Sequence, residues 1–79
     1  MRKDAALQRL GAHIRKLREE LGYSQEDFAA EAGFDRTYYG GIERGERNLS
    51  AINLIKLAQT MKTEVGELFP PIKAFSKDT

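Results

Sequence analysis

The chain contains no cysteine and no tryptophan, a single histidine and only two prolines among its 79 residues. Without cysteine, neither a disulfide nor a thiolate metal site can hold the fold, and a reducing cytoplasm is the expected setting. The one histidine, His13, stands between Ala12 and Ile14 and reads as a boundary residue of a helix. No acidic pair falls where a cleft could form, so neither a nucleophile–base pair nor a metal cluster can be assembled. The glycine-rich run YGGIERG lacks the Gly-Lys-Ser/Thr that grips phosphates in a P-loop. An enzyme is not expected, nor is a metal, a cofactor or a small-molecule ligand. No stretch approaches the ~20 apolar residues of a bilayer span, and the opening MRKDAALQRL lacks the apolar run of a signal peptide. No membrane partner is expected.

What is present reads as one domain with a small core, of a size that gains from a partner. The net charge of +1 argues little for nucleic acid, but the charge is segregated. Residues 1–23 carry six basic side chains (Arg2, Lys3, Arg9, Arg15, Lys16, Arg18) against three acidic ones (Asp4, Glu19, Glu20). Residues 24–33 carry Glu26, Asp27 and Glu31 and no base. A local basic face can therefore exist on a nearly neutral protein.

Leu7, Leu10, Ile14, Leu17 and Leu21 recur at spacings of three and four, the stripe of an amphipathic helix, with Asp4 to cap it and Gly22 to end it. A second, short helix follows from Ser24, with Asp27 three residues on as in a capping box, an apolar face of Phe28, Ala29 and Ala32, and Gly33 as its stop. Asp35 caps a third, from about Arg36 to Arg44, with Tyr39 and Ile42 inward and Gly45 as terminator. Ser50 caps a fourth, from about Ala51 to Lys62, with Ile52, Ile55, Ala58 and Met61 or their neighbours buried. A fifth covers about Val65 to Phe69 before Pro70-Pro71, and residues 72–79 read as a mobile tail. No β-alternation and no repeat is present. The expected fold is all-α, five short helices in a single domain over 1–79.

The second and third helices are each about two turns long and are joined by AGFD, a tight turn containing glycine. This is helix-turn-helix spacing, over about 24–44, in which one helix crosses the DNA backbone and the next offers its first turn to base edges in the major groove. On that geometry Arg36 and Thr37 project into the groove, where arginine can bond guanine O6 and N7 and threonine can meet a base edge or a thymine methyl. Tyr38 points outward at the protein–DNA edge, so its hydroxyl can reach a phosphate or sugar. Gln25 starts the second helix, where its amide and the free N–H groups can grip a phosphate. Arg44, Arg47 and Asn48 follow the recognition helix as further donors to the DNA backbone. Glycine within a helix costs ~1 kcal/mol against alanine, so the pair Gly40-Gly41 needs a reason. Close approach to DNA, tight packing and plain drift all remain open.

With Ser24-Gln25, Ala29, Gly33, the helix end LREELG and IERG at 42–45, residues 10–69 resemble the lambda-repressor-like helix-turn-helix family of Cro and repressor type. More narrowly, DRTYYGGIERGERNLS is similar to the controller proteins of restriction–modification systems. The resemblance implies a homodimer that binds operator DNA and regulates its own gene and an endonuclease gene. It assigns base contact to Arg36 and Thr37 and phosphate contact to Gln25. It also implies a structural ion pair between Arg18 and Glu43, and dimerisation through about 49–69.

Leu49, Ile52, Leu54, Val65, Leu68 and Phe69 belong to a region with more apolar side chains than a small core can bury, and these are the expected interface. A dimer would set two recognition helices ~34 Å apart on a pseudo-palindromic operator. RNA polymerase would be a further partner, blocked or recruited according to operator placement. A phage-type repressor or an antitoxin could share every one of these residues. An interaction adaptor that kept the fold without binding DNA is the alternative of another class.

Overall fold

Each helix begins where a short polar side chain accepts a backbone N–H that has no partner inside the helix. In the computed structural model, which describes residues 4–75, Asp4 accepts from the amides of Ala6 and Leu7 and opens α1 (Ala5–Glu20). Ser24 accepts from Asp27 N at 3.0 Å ahead of α2 (Gln25–Ala32). Asp35 accepts from Tyr38 N at 3.1 Å ahead of α3 (Arg36–Glu43). Ser50 accepts from Asn53 N at 3.1 Å ahead of α4 (Ala51–Met61). Each such cap contributes about 1 kcal/mol.

The described residues form four α-helices and two 3-10 turns, with no strand. The fifth helix expected at 65–69 is a 3-10 turn, Val65–Leu68. Glu64 ahead of it makes no side-chain cap, and the few residues before Pro70 cannot repay the nucleation of an α-helix. Residues 72–75, expected to be a loose tail, form a second 3-10 turn, Ile72–Phe75, which packs on α1. Residues 76–79 lie outside the described residues.

α3 is held between α1 and α2, while α4 packs on α2 and on the first 3-10 turn. Tyr39, Phe28, Ile14, Ile42, Leu57 and Leu68 are enclosed at the centre. Two expectations about the core change. Leu21, placed at the end of the α1 stripe, is exposed, because it sits on the cap where the chain turns away. On α4 the core takes Leu57, Ala58 and Met61, whereas Ile52 is 63% exposed and Ile55 also faces out. An apolar run such as INLI fits more than one helical face, and only the position of α2 selects among them.

One close approach organises the packing. α1 passes so near the end of α3 that a Cβ on Gly11 would lie 2.6 Å from the Glu43 carbonyl oxygen and nearer still to that of Ile42. Only glycine fits there.

Candidate nucleic-acid interface

The turn between α2 and α3 fixes the posture of the recognition helix. Gly33 adopts φ 82°, and Phe34 N donates to Ala29 O at 2.8 Å, closing the turn. Nothing lies within 4 Å of a Cβ added at Gly33, so the residue is needed for its left-handed backbone and not for space. The Phe34 ring then stacks on Tyr39 (14° between planes, centroids 6.4 Å apart) and tilts against Tyr38 at 5.7 Å. Tyr39 meets Phe28 at 5.2 Å, and Phe28 meets Tyr23 edge-on at 5.3 Å. Such pairs add about 0.5–1.5 kcal/mol beyond area burial, and this chain of rings is the bed on which α3 rests.

The other end of α3 is tied by charge. Arg18 Nε donates to Glu43 Oε2 at 2.7 Å and its Nη2 to Glu43 Oε1 at 3.1 Å, a two-pronged pair, while Nη1 donates to the Tyr23 carbonyl at 2.8 Å. Gln25 Nε2 adds a bond to Glu43 Oε1 at 3.0 Å. Three helices thus converge on one carboxylate. Burial pushes the Glu43 carboxyl upward, but the bonds from Arg18 and Gln25 and the nearby Tyr39 hydroxyl outweigh it and hold the group below its usual range. The bond to Glu43 likewise raises the Arg18 guanidinium, against its own desolvation. Burial raises the Tyr39 phenol, whose oxygen has no hydrogen-bond partner of good geometry among the described residues. It stays neutral.

A depressed carboxyl stabilises the fold in full above its unfolded value and loses that contribution as pH falls through the folded one. Stability should therefore be held at neutral pH and fall on acidification below the ordinary value of 4.5. Urea midpoints measured for the parent and for Glu43→Gln across this range should differ most at neutral pH and converge in acid. A constant gap would argue against the linkage.

Arg36 and Thr37 are both exposed on the first turn of α3, and Asn48 is exposed in the following loop. Arg47 is half-buried, its guanidinium 5.7 Å above the Tyr38 ring. Arg44 pairs with Glu46 at 3.1 Å on the surface. The Tyr38 hydroxyl accepts from Asn53 Nδ2 at 2.9 Å. Gln25, expected to offer its amide to phosphate, commits one amide proton to Glu43; an amide nitrogen carries a second.

Gly40 and Gly41 are covered by side chains of the following loop and of α2. A Cβ on Gly40 would lie 3.0 Å from Arg44 Nη1 and 3.5 Å from Gln25 Oε1, and one on Gly41 would lie 3.0 Å from Arg47 Cγ. The atoms over both glycines belong to flexible side chains that can move aside.

The expected interface residues divide into three groups. Ile52, Val65 and Phe69 are exposed, Leu49 and Leu54 are half-buried against the core, and Leu68 is 0% exposed. Leu68 fills the protomer's own interior and has no surface to give a partner. Ile55, not among the expected residues, is exposed on α4 instead. Gly11, Phe34 and Asn53 were also missed, because each acts across helices and leaves no local signal. The tight turn that Gly33 marked was the only hint of Phe34.

Four short helices, with α2 and α3 meeting at a glycine turn and the first turn of α3 bare to solvent, define a helix-turn-helix domain. A family model described as helix-turn-helix matches residues 14–68, and the chain belongs to that family. It is 46% identical to the control protein C.MunI of a Mycoplasma species over 66 residues, 82% of this chain and 89% of that protein. Its structure resembles that of the restriction–modification controller protein C.AhdI from Aeromonas hydrophila, with TM-score 0.80 and 48% identity over 82% of this chain and 98% of that one. It also resembles the controller protein C.Esp1396I, solved as a tetramer in complex with its natural 35 base-pair operator. There the TM-score is 0.74, with 30% identity over 96% of each chain. Among the described residues no helix is long and apolar enough to cross a membrane.

Proposed function

We propose that this chain is a homodimeric, sequence-specific transcription regulator that binds a pseudo-palindromic operator in the cytoplasm and controls restriction–modification genes, its own included. The observation that carries the reading is a recognition helix anchored at its last turn by Arg18–Glu43 and bare at its first, with Arg36 and Thr37 exposed. The 46% identity to a control protein supports the narrower assignment. Arg36 and Thr37 read bases; Gln25, Tyr38, Arg44, Arg47 and Asn48 hold the DNA backbone. Ile52, Ile55, Val65 and Phe69, exposed on α4 and the turn packed against it, form the two-fold interface with Leu49 and Leu54 beside them.

Selection from a random duplex pool at roughly physiological salt should recover a two-fold symmetric site. Against that site Arg36→Ala is expected to cost about 1–3 kcal/mol and to relax preference at one base pair. Arg47→Ala is expected to weaken all duplexes alike and to lower the salt slope by about 1. Failure of a folded protein to enrich any sequence would overturn the reading and favour a protein-interaction role.

A further inference from the structure

The side chain of Asn53 belongs to none of the groups named so far. It stands on the first turn of α4, where its backbone amide is already held by Ser50, and its carboxamide crosses to α3 to meet Tyr38. A phenol oxygen can both accept and donate, and the direction of this bond decides which it does elsewhere. Asn53 Nδ2 is the donor, so the hydroxyl accepts from inside and its own proton is left for an acceptor outside. Phe34 on one side of the ring and Arg47 above it hold the phenol in place. Asn48, Arg44 and the bare turn carrying Arg36 and Thr37 lie on the neighbouring segments of chain.

We propose that Asn53 is a positioning residue for DNA binding: by donating to Tyr38 it assigns the phenolic proton to a phosphate oxygen of the operator backbone. The inference rests on the DNA-binding reading above, and it adds α4, otherwise committed to the core and the two-fold interface, to the elements that set backbone contact. A hydrogen bond to a charged acceptor such as a phosphate oxygen contributes about 1.5–3 kcal/mol, roughly a 10- to 100-fold change in affinity.

The test exploits the fact that a carboxylate can only accept. Asn53→Asp keeps the link between α4 and α3 but reverses it, so that Tyr38 must donate inward and loses its outward proton. Operator affinity at fixed salt, and the urea midpoint, are measured for the parent, Asn53→Asp, Tyr38→Phe and the double variant. The double variant reports the cost of the added negative charge by itself. The expected result is a stability little changed in Asn53→Asp, and an affinity loss roughly 10- to 100-fold larger in the parent background than in the Tyr38→Phe background. Equal losses in the two backgrounds, or none in either, would overturn the positioning role while operator binding by the parent still upheld the function. Absence of operator binding by the folded parent would overturn both together.

Discussion

Replacing Glu43 with alanine is expected to lower the unfolding free energy by about 3–5 kcal/mol, because it leaves the Arg18 guanidinium buried without its partner. Both side chains are under a tenth exposed, so water cannot substitute for the lost carboxylate. Gln25 Nε2 also loses its acceptor, which adds an unsatisfied donor to the cost. Domains of this size are stable by roughly 5–15 kcal/mol, so the variant should lie near the edge of folding. Urea denaturation is the measurement. The pair Arg18→Met with Glu43→Leu should recover most of the loss, since matched apolar groups often replace a buried ion pair at little cost. A Glu43→Ala loss below about 1 kcal/mol would mean that the pair is solvated in solution and carries little of the stability.

Gly11→Ala should be nearly as damaging, for a reason unrelated to charge. The added methyl meets the backbone carbonyls of Ile42 and Glu43, and Glu43 cannot retreat while Arg18 holds it. Overpacking against fixed atoms costs about 1–3 kcal/mol, and the rigidity of this site points to the upper end. Gly40→Ala is the control. There the new methyl meets the flexible ends of Arg44 and Gln25, and relief of glycine in a helix is worth ~1 kcal/mol, so stability should hold or rise. Thermal melts of the two variants, set side by side, separate a packing glycine from a tolerated one. Similar melting points would contradict the close approach of α1 to α3.

Both predictions depend on contacts between helices, and that is where the sequence was least informative. Caps were legible because Asp4, Ser24, Asp35 and Ser50 act on amides two or three residues away. Gly33 was legible for the same reason, and Tyr39 with Ile42 followed from their spacing. The Arg18–Glu43 pair spans 25 positions, and only resemblance to a family pointed to it. Nothing local distinguishes Gly11 from a neutral surface glycine. The outward turn of Ile52 and Ile55 was hidden because nearly every residue around that part of α4 is apolar, and Leu68 was misplaced because apolar surplus does not say which member is surplus. Asn53 looked like an ordinary first-turn residue, since its bond reaches a tyrosine on another helix.

α3 is eight residues long, and its two ends carry separate duties. Glu43 at the back is bound into the body of the protein, whereas Arg36 and Thr37 at the front are exposed and, among the described residues, held by no side-chain bond. Exchanging the front pair therefore leaves the scaffold nearly untouched. If Arg36 and Thr37 read bases as proposed, chains with this core can drift apart in the DNA they recognise without passing through an unfolded ancestor, and two such regulators in one cell can be kept from answering to each other's sites by as few as two codons.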